Sequence, residues 1–153
     1  MEILKSHGFL LNRLSNAVST VLGNNLQEKY DVTLSQWAII SILGEHEALT
    51  SSEIQKLLNI RVSSATGILN RMEKKHLIQR VDNPLDKREK KLLLTEDALA
   101  IREDIINEVK KINQKMLINF SKAEKTTFKS LINKAFDNII LLDDNQPIIR
   151  KID

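Results

Sequence analysis

Residues 61–95 read RVSSATGILNRMEKKHLIQRVDNPLDKREKKLLLT, and the spacing of the apolar residues changes character within them. As far as Lys75 the apolar positions Ala65, Ile68, Leu69 and Met72 fall three or four apart. This predicts a helix over 62–75 with one buried side. Ser63, Ser64, Thr66, Gly67, Asn70 and Arg71 lie on its other faces. Leu77–Val81 then reads as a strand, Asp82-Asn83-Pro84-Leu85-Asp86 is dense in turn formers, and Lys91–Thr95 reads as a returning strand. The expected unit is therefore a helix followed by a β-hairpin.

Upstream, Thr50-Ser51-Ser52-Glu53 has the form of a capping box, opening a short helix with Ile54, Leu57 and Leu58 inward. Asn59-Ile60-Arg61 is a tight turn. Two short helices so joined make a helix-turn-helix, and the hairpin that follows makes its wing. Further out, Thr33-Leu34-Ser35-Gln36 is another capping box, before a helix over 34–43 with Trp37, Ile40 and Leu43 on one face and Gly44 as its stop. Ile3–Lys29 reads as a long helix with Leu4, Leu11, Leu14, Val18, Val21, Leu22 and Leu26 near helical spacing, broken at Tyr30-Asp31-Val32.

Downstream, Thr95 caps a long helix whose stripe runs Ala98, Ile101, Ile105, Val109, Ile112, Met116 and Phe120. Ser121-Lys122-Ala123-Glu124 is a third capping box. It starts a last helix with Phe128, Leu131, Ala135, Ile139 and Leu142 inward. The expected fold class is mainly α with a small β-hairpin wing, a winged helix-turn-helix over 33–96. Helical segments at 1–32 and 97–142 flank it, and a tail at 143–153 follows.

The 153 residues contain no cysteine, which excludes disulfides, thiolate zinc sites and thiol redox sensing, and fits the cytoplasm. No apolar run approaches the ~20 residues of a membrane span, and the first residues lack the pattern of a signal peptide. Net charge is +3, but it is unevenly placed. Between Arg61 and Lys91 nine basic residues stand against four acidic ones, a local +5, which leaves −2 for the remainder. Such a basic centre suits a polyanion and equally a solvated charged face.

A major groove admits one helix, and short donor-acceptor side chains near that helix's start meet base edges. Ser63, Ser64, Thr66 and Asn70 are of that kind, although Ser63 or Ser64 could instead cap the helix. Arg71, with Arg61, Lys74 and Lys75, supplies candidate phosphate contacts, which position without reading sequence. At the hairpin, Asp86-Lys87-Arg88 could send a guanidinium into a minor groove, where negative potential concentrates, with Asp86 orienting the hairpin through a local ion pair.

The run from Met72 to Arg80, then Asp82 to Arg88, then Leu92-Leu93-Leu94-Thr95, resembles the MarR family of transcriptional regulators. Asp86, Arg88, Leu94 and Thr95 match its wing pattern. Leu49–Ile54 and Thr33–Trp37 resemble earlier segments, and the likeness extends from the first helix to about Leu142. The resemblance implies a homodimer in which the flanking helices interlock and two winged helices face successive major grooves of a pseudo-palindromic operator. It casts Arg88 as the minor-groove arginine with Asp86 as its partner. It also implies a small aromatic effector that weakens DNA binding, and Phe9, Trp37 and His46 are the candidates to line its cleft. Two positions depart from the pattern. His76 stands where the family usually has Gly, at a place that often needs a left-handed backbone, and Gly67 replaces a longer polar or basic side chain.

No cofactor and no metal is expected. His7, His46 and His76 lack paired ligand spacing, and there is neither a phosphate loop nor a nucleophile elbow. An enzyme is therefore not expected. The reading is a DNA-binding regulator, a repressor; the alternative is a winged-helix module that binds protein and not DNA.

Overall fold

The computed structural model describes residues 2–140, so Leu142 and the tail at 143–153 lie outside the described residues. The chain divides into two compact units at Ile112. The first unit begins with a 3₁₀ turn at Ile3–Lys5 and helix α1 (His7–Tyr30). The helix starts later than its apolar spacing suggests because Ser6 is extended and its Oγ accepts from the amide of Phe9. Asp31, left-handed at φ 52°, ends it.

Helix α2 (Leu34–Leu43) opens with the Thr33 capping box complete: Thr33 Oγ1 accepts from Gln36 N at 3.2 Å, and Gln36 Oε1 accepts from Thr33 N at 3.0 Å. It ends at Gly44, though φ is −74° there and no left-handed residue is needed. What glycine supplies is room, since a Cβ at this position would run into the Arg102 guanidinium. Strand β1 (Leu49–Thr50) follows, too short for any alternation to show in the sequence. Helix α3 (Ser51–Leu58) begins with the Thr50–Glu53 box, also complete, and ends at left-handed Asn59. Its Ile54 is buried, whereas Leu57, expected inward, is 46% exposed because it falls at the edge of so short a helix.

Helix α4 (Val62–Lys74) buries Ala65, Leu69 and Met72. Strands β2 (Ile78–Asp82) and β3 (Lys90–Leu94) pair antiparallel, Ile78 with Leu94 through Asp82 with Lys90, and β1 joins the other edge of β3. Each strand sits one residue nearer the hairpin tip than the apolar run implies. Thr95 keeps one bond across the hairpin, its amide donating to the Leu77 carbonyl at 3.2 Å, but its side chain caps the next helix, Oγ1 accepting from Ala98 N and donating to the His76 carbonyl at 2.7 Å, while an Asp82–Lys90 ion pair extends the ladder at the tip.

His76, between α4 and β2, is left-handed at φ 56°. A Cβ is disfavoured in that region, so His76→Gly is expected to raise stability by about 0.5–1 kcal/mol, read by thermal or urea unfolding. An unchanged or lower midpoint would mean that the imidazole makes a compensating contact.

Helix α5 (Glu96–Met116) contributes Ala98 and Ile105 to a core shared with Leu26, Val32, Ile39, Ile40, Leu43, Ile54, Leu69, Met72, Leu92 and Leu94. It also carries Glu108, only 8% exposed, whose carboxylate takes Lys29 of α1 at 2.8 Å and Lys111 at 2.9 Å. The hydrogen bond from Lys29, then that from Lys111, holds its pKa down at about 2, from 4.5. A lowered folded pKa means stability that is full above the unfolded value and lost as the pH falls through the folded one. Glu108→Gln is therefore expected to melt below the wild type at neutral pH, with the gap closing between pH 4.5 and 2. A gap independent of pH would show that lost packing, not lost charge pairing, is responsible.

In the second unit α5 ends at Met116, so Phe120 lies beyond the helix that was expected to carry it. The chain turns there into the Ser121–Glu124 capping box, and Phe120 meets Phe128 edge-on at 5.6 Å. Helix α6 (Lys122–Ile140) leaves most of its apolar row open. Leu131 is 59% and Ile139 64% exposed, and Ala135 is exposed, so only Phe128 of the described positions expected inward is partly covered within the single chain.

Candidate nucleic-acid interface

Helix α4 is held by its buried side against the core, which turns the opposite side outward. At 3.6 residues per turn, Ser63, Thr66, Gly67, Asn70 and Lys74 share that outer side, and all but the half-buried Gly67 are exposed. The N-cap is Arg61, which makes no side-chain cap bond. Ser63 and Ser64 therefore do not cap the helix, and their hydroxyls face solvent. Thr66 Oγ1 donates back to the Val62 carbonyl at 2.9 Å, which leaves its methyl and lone pairs for other contacts. At Gly67 a Cβ would touch only Arg71 Nη1, at 3.5 Å. The Arg71 side chain thus folds back over the notch that Gly67 leaves.

Asn70 is not free. Its Oδ1 accepts from Arg80 Nη2 at 3.2 Å, and Arg80 Nε pairs with Glu73 Oε2 at 2.9 Å. Lys75 is engaged too, with Asp31 Oδ2 at 2.7 Å and the Asp31 carbonyl at 2.5 Å. Its ammonium ties α4 to the left-handed end of α1 and lowers the Asp31 pKa. Arg61, Arg71 and Lys74 pair with no carboxylate among the described residues.

The wing is built by side chains that cap its own backbone. Buried Asn83 accepts from Leu85 N at 3.1 Å. Asp86 Oδ1 accepts from Arg88 N at 2.9 Å, and the Asp86 carbonyl accepts from Glu89 N at 3.2 Å. Asp86 therefore orients the hairpin through a backbone turn, not through the local ion pair expected of it. A short carboxylate reaches the amide two residues on, while the Lys87 and Arg88 side chains project outward. Both are exposed and without a carboxylate partner among the described residues. Glu89 accepts from Ser52 Oγ at 2.7 Å, which ties the wing to the start of α3. Leu85, 89% exposed, stands at the tip.

The effector candidates are scattered. Trp37 is half-buried and packs on the core, whereas Phe9 and His46 are exposed. A Cβ on Gly23 of α1 would lie 3.4 Å from Leu34 at the start of α2, and Phe9 lies fourteen residues, about 21 Å, along α1 from there. The single chain does not gather these residues into one cleft. Nothing in the sequence marks the roles of Arg80, Glu73, Ser52 and Glu89. Their partners are ten or more residues away or on another element, beyond any local spacing rule.

A helix-turn-helix, an outward second helix and a basic hairpin beside it define a winged helix-turn-helix of the kind found in transcriptional regulators. A profile described as "MarR family" matches residues 32–90. The transcriptional regulator YwoH of Bacillus subtilis, described as uncharacterized, is 30% identical over 108 residues, covering 71% of this chain and 78% of that one. The multiple antibiotic resistance protein MarR of Salmonella typhimurium is 29% identical over 112 residues, covering 72% and 78%. Among solved structures, a cysteine-to-serine mutant of MarR from E. coli superposes with a TM-score of 0.76 at 25% identity, covering 86% of this chain and 96% of that one. The same mutant complexed with operator DNA gives 0.73 at 26%, covering 84% and 91%. The chain belongs to the MarR family. No described helix is long and apolar enough to cross a membrane.

Proposed function

We propose that the protein is a homodimeric repressor that binds a pseudo-palindromic operator in double-stranded DNA. Residues 33–96 make the contact and residues 1–32 and 97–142 the dimer. The observation that carries this is the Arg88 guanidinium, set on a hairpin braced by Asp86 and left without a carboxylate partner among the described residues, beside the outward side of α4. Ser63, Ser64, Thr66, Gly67 and Asn70 would face base edges. Arg61, Arg71 and Lys74 would hold phosphates, with Lys75 joining them only if it leaves Asp31. Lys87 and Arg88 would follow the minor groove. The operator complex of the E. coli MarR mutant supports the assignment, and the open apolar rows of α1 and α6 support the dimer.

The same reading includes a small aromatic effector that relieves DNA binding and the cytoplasm as the place of action. Trp37, Phe9 and His46 are the positions to substitute in testing the effector. Selection of bound sequences from a random DNA pool tests the core of the proposal. Two half-sites about 10 bp apart, with salt-sensitive affinity, are expected. A pool that yields no preferred sequence would remove the regulator reading. Binding to a partner protein that ignores Arg71→Ala and Arg88→Ala would favour the protein-interaction module.

A further inference from the structure

Among residues 83–89, which join β2 to β3, Leu85 is the one large apolar side chain. At 89% exposure, no other large apolar residue among those described is so open to water. A lone exposed leucine is ordinary on a protein surface. This one is held out by the turn around it. Before it, buried Asn83 accepts from the Leu85 amide at 3.1 Å, and Pro84 fixes φ between the two. After it, Asp86 Oδ1 accepts from the Arg88 amide at 2.9 Å and the Asp86 carbonyl from the Glu89 amide at 3.2 Å. The backbone is therefore pinned on both flanks, which keeps the leucine in water three residues from Arg88. So exposed a side chain supports nothing in the fold.

We propose that Leu85 is a second DNA-contacting residue of the wing, an apolar side chain that packs into the minor groove beside Arg88 and adds affinity that salt does not weaken. This rests on the reading that the wing enters the minor groove. Leucine has no donor and no acceptor, so it neither holds a phosphate nor bonds a base edge. What it gains on DNA is loss of water against the sugars and the groove wall, and proteins that enter the minor groove set apolar side chains there among their cations. A cation on DNA releases counterions, so its contribution shrinks as salt rises. An apolar contact releases none. Leu85 and Arg88 thus divide the work of one loop into a part that salt screens and a part that it leaves alone.

Fluorescence anisotropy with a duplex of the sequence that the wild type selects, at several salt concentrations, tests this on Leu85→Ala, Leu85→Met and Arg88→Ala. Leu85→Ala should bind about tenfold more weakly at every salt concentration, about threefold from each protomer, with the slope of log affinity against log salt unchanged. Leu85→Met keeps an apolar side chain of similar volume and should stay within about twofold of the wild type. Arg88→Ala should lower the slope as well. The unfolding midpoint of Leu85→Ala should equal that of the wild type, so that lost affinity is not lost fold. Wild-type affinity in Leu85→Ala, a slope that falls with it, a lowered midpoint, or Leu85→Met as weak as Leu85→Ala overturns the inference. If Arg88→Ala still weakens binding, the wing reading stands without it. If neither Leu85→Ala nor Arg88→Ala weakens binding, the wing reading falls too.

Discussion

Arg88→Ala is expected to weaken operator binding about a hundredfold at ~0.1 M salt and to flatten its salt dependence. The wing loop carries no other arginine, and Asp86 and Asn83 fix the backbone that presents this one. A guanidinium in a narrow minor groove is worth about 1–2 kcal/mol, and a two-fold dimer loses two at once. Each lost cation removes about 0.9 from the slope of log affinity against log salt, so the slope should fall by about two per dimer. Titrations by fluorescence anisotropy at several salt concentrations read both quantities. Asp86→Ala keeps the cation and loosens the turn, so it should reduce affinity less and leave the slope near that of the wild type. Equal slopes for Arg88→Ala and the wild type would mean that the wing does not touch DNA.

Leu131→Glu combined with Ile139→Glu is expected to give a monomer by sedimentation and to reduce operator affinity by more than about a hundredfold. Both side chains are more than half exposed on α6, and α1 likewise leaves Leu10, Leu11 and Val21 open. Apolar surface of that extent is unusual on a protein that works as a single chain. Covering a large apolar side chain is worth about 1.5–3 kcal/mol, and two-fold symmetry counts each twice, so the pair of substitutions removes most of what a modest interface supplies. A monomer engages one half-site and forfeits the linkage between two. Because both positions are exposed within the chain, its melting should change little at concentrations where the wild type is also dissociated. A variant that remains dimeric would place the interface elsewhere than on this row of α6.

The same α6 row shows what periodicity leaves open. Period 3.6 at Phe128, Leu131, Ala135 and Ile139 correctly marks an apolar side, but periodicity does not say whether the cover comes from the same chain. Within 113–140 it is largely uncovered. The wing shows the converse. Asn83, Pro84 and Asp86 are recognisable turn formers, yet the spacing of Asp86 to Lys87 and Arg88 suits a charge pair, whereas its partner is the Arg88 amide. Both readings fit one spacing, and only the backbone angles of the turn separate them.

Features whose partners lie within about four residues could be read from the sequence by itself. The boxes at Thr33, Thr50 and Ser121, the cap by Thr95 and the buried side of α4 were of this kind, because capping and helical period are local physics. The hairpin and its Arg88 were legible from the turn formers between two apolar runs, and the family likeness added the left-handed position at His76. The tertiary structure alone decided what distant residues do to one another. It paired Leu49 with Leu92 to make a third strand and withdrew Lys75 to Asp31. It set Arg102 where a side chain on Gly44 would have been, and it turned Asn70 with an arginine ten residues away. The outward residues of α4 were thus legible in the sequence, whereas the way Asn70 points is set across the gap between helix and strand, where no local rule reaches.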